Sequence, residues 1–263
     1  MSEAPVTTQR RGKVALVTLN RPADRNPLDR QTASGLVAAF SDAFADDAVR
    51  AVAVTGAGDA FCAGGDLRQM AQLGSMEPEQ AWAWPSAIVE LHQMMLTAPK
   101  PVVAAVNGPA FAGGMGLAAI CDVVLATRRA RFALPEVKVG LFPMIVVAHL
   151  VRSVPRKLLM EMMFTGDPIS AEEAQQAGFV RHVYDDTEAM MAAVVEYGER
   201  FSRASPQAVR LGRRAFTLLA EMPASQALDA AQLLNVPFFL GPDLAEGAAA
   251  FLEKRRPSWI EGQ

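Results

Sequence analysis

Cysteine and histidine are scarce in this chain of 263 residues, which has two cysteines and three histidines. Cys62 and Cys121 are too few for a disulfide framework or for a structural zinc site built on thiolates. The three histidines add few further metal ligands. We therefore expect no metal site.

Positive charge is also in short supply. The formal net charge is −3, which argues against a nucleic-acid-binding protein whose affinity depends on phosphate neutralisation. Charged residues make up 20% of the chain, below the globular norm of about 25%, and hydrophobic residues make up 51%. This composition excludes intrinsic disorder, and the length of 263 residues predicts one large domain, or one domain with a small appendage.

One uncharged stretch, residues 101–121, is about as long as a membrane-spanning helix. Its prolines and glycines would leave backbone groups unsatisfied in lipid. We therefore predict a buried strand, a turn and a buried helix, and no membrane association. The polar segment Met1–Lys13 lacks an apolar signal region, so we expect a cytoplasmic protein with reduced thiols.

Hydrophobic patterning predicts an α/β first half and a helix-rich second half. Apolar, mostly β-branched runs predict strands at Val14–Leu19, Ala51–Thr55, Val102–Val106 and Val123–Ala126. Periodicity and capping signals predict helices around Leu36–Phe44, Ala87–Leu96, Ser170–Gly178, Thr187–Arg203, Ser205 onward, Ala224–Leu234 and Asp243–Glu253. The run Leu234–Leu240 is more apolar than one helix face needs, which leaves the core and a subunit interface as alternatives.

Two glycine-containing segments, Thr55–Leu67 and Asn107–Leu117, each follow a predicted strand and precede a predicted helix. Such a junction leaves backbone N–H groups free to bind an anion or a developing oxyanion. The dinucleotide fingerprint fails because Phe61 stands at the third glycine position, and the P-loop pattern is missing its Gly-Lys-Ser/Thr. Taken alone, these glycines could equally serve tight turns and close packing.

Six motifs in order resemble the enoyl-CoA hydratase/isomerase (crotonase) family, over about residues 12–260. The two glycine segments resemble its oxyanion segments, and Phe132–Pro143 resembles its catalytic-glutamate segment. The remaining similarities lie at Asn20–Leu28, Ala174–Val180 and Glu246–Trp259.

The resemblance implies a spiral of ββα units over residues 1–200, followed by a helical trimerisation region over residues 201–263. It further implies a homotrimer or hexamer acting on an acyl-CoA thioester, with no cofactor apart from the CoA carried by the substrate.

The resemblance also implies roles for individual residues. The backbone N–H groups of Gly65 and Gly113 would bind the thioester oxygen, and Glu136 would transfer the proton. Asp66 and Leu67 would face the adenine. Arg25 and Lys254 are candidates for phosphate contacts, the latter possible across a subunit boundary.

The main departure from the family pattern is Gly116, which stands where a typical hydratase carries its first glutamate. With Glu136 as a single carboxylate, isomerisation, hydration and another enolate reaction all stay open. Possible second groups are Asp59, Asp66, Glu90 and His92, each more typical of a structural or solvated residue.

Smaller departures concern the ends of the ligand site. The run Met144–Ala148 replaces a glycine-rich turn and should narrow or reshape the acyl end of the pocket. Trp82 and Trp84 could line that end or belong to a core or interface. Ala23 replaces a basic residue, which should weaken phosphate contacts.

The sequence thus favours an enoyl-CoA hydratase or isomerase. Two alternatives stay open: other enolate chemistry on an acyl-CoA, such as decarboxylation or thioester hydrolysis, and a non-catalytic acyl-CoA-binding protein.

Overall fold

Nine strands form two sheets in the computed structural model, which describes residues 4–261. The strands are β1 (Val6–Arg11), β2 (Val14–Leu19), β3 (Ala51–Gly56), β4 (Val102–Val106), β5 (Ala110–Phe111), β6 (Val123–Thr127), β7 (Arg131–Ala133), β8 (Ile169–Ser170) and β9 (His182–Tyr184). The larger sheet has the order β1-β2-β3-β4-β6-β9, and the smaller has the order β5-β7-β8.

Helices fill most of the remaining chain. They are α1 (Arg30–Ala45), α2 (Leu67–Met70), α3 (Pro78–Ala83), α4 (Ser86–Leu96), α5 (Gly113–Ala119), α6 (Met144–Ser153), α7 (Arg156–Thr165), α8 (Ala171–Gln176), α9 (Thr187–Ser202), α10 (Pro206–Leu219), α11 (Ala224–Leu234), α12 (Val236–Phe239), α13 (Pro242–Leu252) and α14 (Ser258–Glu261). Short 3-10 helices occur at Pro22–Asp24, Leu73–Ser75 and Pro135–Val139.

The large sheet is covered on both faces, as the continuous apolarity of its strands predicts. β3 and β4 are buried at every position. Alternate residues of a strand point to opposite faces. Val52 and Val54 therefore pack in the core that contains α1 and α4, whereas Ala51 and Ala53 pack against α9. Within the large sheet, β2, β3, β4, β6 and β9 are parallel, and only the edge strand β1 pairs antiparallel to its neighbour.

All four predicted strands are present, with β3 and β6 one residue longer than predicted. The capping box of Ser170 and Glu173 begins α8, and Ser205 caps α10. Sequence patterns missed β1, whose residues are mostly exposed, and the short strands β5, β7, β8 and β9. They also missed α6, which begins directly after Pro143.

The uncharged stretch 101–121 folds as predicted into a strand, a turn and a helix, namely β4, a loop with β5, and α5. Within residues 4–261 no helix combines the length and hydropathy needed to cross a membrane.

The last helices are rich in exposed apolar side chains. The run Leu234–Leu240 does not enter the core of this chain, since Phe239 is 65% and Leu240 is 82% exposed. A subunit interface is the alternative that stays open for this run. The division of the chain at residue 200 stays a prediction, and its outer ends, residues 1–3 and 262–263, lie outside the described residues.

Candidate active site

Three distant segments meet through the small sheet. Cys62 forms a parallel bridge with Ala110 in β5, and Ala110 pairs in parallel with Phe132 in β7. The bond from Phe111 N to the Cys62 carbonyl (2.9 Å) strengthens the first pairing, and the bond from Ala112 N to the Ala133 carbonyl (2.9 Å) extends the second. Three chain segments therefore run side by side in the same direction.

This pairing explains why the predicted catalytic residues lie together. Gly65, Gly113 and Glu136 each follow one of the paired residues Cys62, Ala110 and Phe132 by three or four positions. Because parallel strands end at the same edge of a sheet, all three residues emerge on one side. They line a single cavity of about 620 Å³.

The two glycine segments share a backbone feature. Gly64 has φ +92° and Ala112 has φ +51°, so a residue of positive φ stands directly before each candidate donor. In the part of the chain that the structure describes, the amide nitrogens of Gly65 and Gly113 have no hydrogen-bond acceptor. Two free N–H groups at the wall of a cavity can stabilise negative charge on a bound oxygen.

Glu136 lies in the first turn of the 3-10 helix Pro135–Val139, and its side chain does not cap that helix. The residue is half-buried, and its Oε2 atom is fully buried without a hydrogen-bond partner. Burial raises the pKa of Glu136, although the backbone N–H of the same residue opposes part of this effect. A desolvated carboxylate of raised pKa is suited to accept and return a proton.

Buried amides hold the loops of the site in place. Asn26 donates from Nδ2 to the carbonyls of Ala57 (2.9 Å) and Ala60 (2.8 Å). Asn107 donates to the Gly58 carbonyl (2.9 Å) and accepts from Gly56 N (3.1 Å). Sequence reasoning did not single out these two asparagines as positioning residues. The signal available was their place beside the glycine segments.

The predicted CoA-contact residues divide into two groups. Asp66 and Leu67 line the cavity, and the Asp66 carboxylate caps α2 by accepting from Arg68 N (2.9 Å). Arg25 and Lys254 are exposed and do not line the cavity. The Arg25 carbonyl nevertheless helps to build the site, because it accepts from Ala63 N (3.0 Å).

Three cationic side chains line the cavity in place of the predicted Arg25 and Lys254. Arg30, Arg68 and Lys138 are among its lining residues. Arg68 bridges two loops, with ion pairs to Asp24 (3.1 Å) and Asp66 (3.2 Å). The sequence signal for Arg68 was its position directly after Leu67. These cations can attract the phosphates of a large anionic ligand.

The structure separates the four possible second proton-transfer groups. Asp59 pairs with Arg129 at the surface, and Glu90 is exposed outside the cavity lining. His92 is buried between α4 and α6, where its Nδ1 lies 3.1 Å from His149 Nε2. Only Asp66 lines the cavity, and it is held in an ion pair and a helix cap.

Part of the cavity wall is apolar. Trp84 lines it, whereas Trp82 is 86% exposed and does not. Met144, Ile145 and Val146 from the start of α6 also line the cavity, and the expected reshaping of the acyl end stays a prediction. Among residues 4–261, no group of three or more histidine, cysteine or acidic residues is arranged to hold a metal ion.

Comparisons with known proteins identify the family of this chain. A family model described as enoyl-CoA hydratase/isomerase matches residues 9–262. The chain is 35% identical to the 2,3-dehydroadipyl-CoA hydratase of Escherichia coli, over 98% of this chain and 99% of that protein. It is 34% identical to the enoyl-CoA hydratase EchA19 of Mycobacterium tuberculosis, over 95% of this chain and 94% of that protein.

The fold was also compared with that of a solved structure. The crystal structure of an enoyl-CoA hydratase from Mycobacterium smegmatis superposes with a TM-score of 0.90, at 34% identity, and covers 98% of this chain and 99% of that chain. This likeness confirms the crotonase fold, with its helical C-terminal region. The match of fold, sequence and family model over nearly the whole length shows that this chain belongs to the enoyl-CoA hydratase/isomerase family.

Proposed function

We propose that this protein is an enoyl-CoA hydratase or isomerase that stabilises a thioester enolate and moves a proton with Glu136. One observation carries the proposal. One cavity is lined by Gly65 and Gly113, whose backbone N–H groups have no acceptor in the described chain, and by Glu136, whose buried Oε2 atom has no hydrogen-bond partner.

The geometry divides the chemistry between backbone and side chain. The two N–H groups bind the thioester carbonyl oxygen and stabilise the negative charge that develops on it, and loss of one such donor typically costs about 3 kcal/mol of barrier. Glu136, ionised, accepts the proton from the carbon chain, and as a carboxylic acid it returns the proton to carbon. No separate cofactor is needed, because CoA is part of the substrate.

The CoA portion would extend from the cavity over the loop at Asp66 and Leu67. The Arg68 guanidinium stands at this point and is a better placed phosphate partner than Arg25. Lys254 lies outside the cavity of its own chain, so a contact with phosphate would have to come from a neighbouring subunit.

Assembly into a homotrimer or a hexamer of two trimers is part of the proposal. Large apolar side chains are exposed along α10 to α13, among them Phe216, Leu228, Leu233, Leu240 and Phe251, each at least 73% exposed. Exposed apolar side chains gathered on a protein surface mark sites of association, so these helices are suited to an interface between copies of the chain.

The test is the replacement Glu136→Gln, which keeps the size of the side chain and removes its basicity. We expect kcat on 2- and 3-enoyl-CoA thioesters to fall about 10²- to 10⁴-fold, while a saturated acyl-CoA binds as before. Because burial raises the pKa of Glu136, the acid limb of the wild-type kcat/KM profile should lie above the ordinary pKa of 4.5. Glu90→Gln, at an exposed carboxylate, is the matched control.

The same measurements separate the alternatives. Wild-type activity in Glu136→Gln would contradict the assignment of Glu136. Turnover of malonyl-type or saturated acyl-CoA in place of enoyl-CoA would indicate decarboxylation or thioester hydrolysis. Tight binding without turnover on all of these thioesters would indicate a non-catalytic acyl-CoA-binding protein.

A further inference from the structure

Gly116 has no space for a side chain. It is buried within α5, and a Cβ atom added to it would lie 2.7 Å from Val146 Cβ and closer still to Val146 Cγ1. The backbone of α6 is also near, with Val146 Cα at 3.4 Å. Real Cβ contacts are not this short, so Val146 occupies the volume into which a residue 116 side chain would project.

Val146 is held rigidly in this position. It is 5% exposed in the first turns of α6, which packs against α5, and it also lines the cavity. A β-branched residue in a helix has one strongly preferred χ1 rotamer, so the side chain cannot turn away at little cost. The departures at 116 and at 144–148 are therefore one feature: a valine on α6 fills the gap left by a glycine on α5.

The consequence is a cavity with a single free carboxylate. Four carboxylates line the cavity, and three of them accept a hydrogen bond from an arginine guanidinium. Glu136 Oε2 is the one buried carboxylate oxygen without a partner in residues 4–261. The four carboxylates are Asp24, Asp29, Asp66 and Glu136.

A single carboxylate beside an apolar wall favours proton transfer over water addition. For a 3-enoyl thioester, Glu136 removes a proton from Cα, and the electron pair of that C–H bond passes into the thioester as a dienolate. The dienolate then takes the same proton from Glu136 at Cγ, so the double bond moves from Cβ=Cγ to Cα=Cβ and the mass is unchanged. Hydration needs in addition space for a water molecule at Cβ, and the Val146 methyl groups occupy that space at this wall.

We propose that Val146 determines reaction specificity in this protein, by taking the place of a side chain at residue 116 and so favouring double-bond isomerisation over hydration. This inference rests on the proposed function.

The experiment measures the ratio of two rates, hydration of 2-hexenoyl-CoA and isomerisation of 3-hexenoyl-CoA, by mass spectrometry and absorbance. In the wild type, isomerisation should dominate. Val146→Ala opens the wall to water and should raise the ratio about tenfold or more. Val154→Ala is the matched control, since it removes the same two methyl groups from a buried residue directly after α6 and outside the cavity lining, and it should leave the ratio unchanged.

A second pair of variants tests whether side chains at residues 116 and 146 compete for the same space. Gly116→Glu alone should lower the melting temperature, because the new side chain collides with Val146. In G116E/V146G the two contacts of the added Cβ below 3 Å are removed and the α6 backbone stays at 3.4 Å, so stability should recover relative to Gly116→Glu and hydration should rise further. Glycine is required at 146 because an alanine Cβ would still lie 2.7 Å away.

The outcomes are distinguishable from failure of the proposed function. Absence of turnover on every enoyl-CoA, in wild type and variants alike, overturns the proposed function and this inference with it. If the wild type is active and Glu136→Gln is not, two results overturn this inference alone. They are a wild type that hydrates as fast as it isomerises, and a Val146→Ala variant whose rate ratio equals that of the wild type.

Discussion

Gly64 and Ala112 have the same backbone role in segments that are far apart in the sequence. Both have positive φ, and each directly precedes a free N–H group of the candidate site. An alanine at positive φ is strained by the order of 1–3 kcal/mol, and such strain persists only where the surrounding structure enforces it. Here the Ala112 methyl group packs against Gly64, so these two residues together determine the spacing of the two glycine segments.

Gly64→Ala should therefore impair both folding and catalysis. The added Cβ would lie 2.6 Å from Ala112 Cβ and 3.0 Å from the Phe111 carbonyl oxygen, which forces the segments apart. We expect a loss of about 2 kcal/mol or more in the free energy of unfolding, and a lower kcat on enoyl-CoA. Urea denaturation and steady-state kinetics measure these effects.

Gly178→Ala is the matched control for this substitution. Gly178 has φ +81° but no heavy atom within 4 Å of an added Cβ, so it shares the backbone strain without the collision. The Gly178→Ala substitution should lower the free energy of unfolding by about 1 kcal/mol and leave kcat unchanged. Equal effects of the two substitutions on stability and on kcat would contradict the role given to Gly64.

At the scale of elements, α4 and α6 are joined by the contact of buried His92 with half-buried His149, one helical turn beyond the cavity residues Ile88 and Ile145. Burial, and secondarily the neighbouring His149, lower the pKa of His92 from 6.5 to about 4. The Nε2 atom of His92 is buried without a partner in the described chain. The pair therefore stays neutral in the folded protein under conditions where the unfolded chain is protonated.

Stability should consequently fall as the pH falls from about 6.5 to about 4. In this window the unfolded state binds a proton that folded His92 does not, so the unfolding free energy decreases, by up to about 3 kcal/mol for this group. Above pH 6.5 His92 is neutral in both the folded and the unfolded state, so it does not contribute to the pH dependence of the unfolding free energy. Chemical denaturation at fixed protein concentration measures the effect, and His92→Leu should flatten the slope. An unchanged slope in His92→Leu would rule out this origin.

At the scale of the whole molecule, the exposed apolar side chains of α10 to α13 predict that the chain works as an oligomer. Leu240→Asp places a charge on this surface and should shift the mass measured by light scattering toward that of a single chain. The matched control is Thr8→Asp, which adds the same charge on the exposed strand β1. A monomeric wild type, or a Leu240→Asp variant that keeps the wild-type mass, would refute the predicted interface.

The amino-acid sequence by itself determined the elements whose signals are local. The strands β3 and β4 follow from continuous apolar runs, and the start of α8 follows from the capping box of Ser170, because these patterns involve only neighbouring residues. The candidate donors and Glu136 were named from family motifs in the sequence, without knowledge of how they meet.

Only the tertiary structure decided how these pieces form a site. The pairing of Cys62 with Ala110 joins residues almost fifty positions apart through strands of one or two residues, which carry no periodic signal. The sequence showed a missing glutamate at Gly116 and larger residues after Pro143 as separate departures. Only the packing of α5 against α6 connects the two departures, because the Val146 side chain occupies the space next to Gly116. No local sequence pattern shows that residues 116 and 146 compete for the same volume.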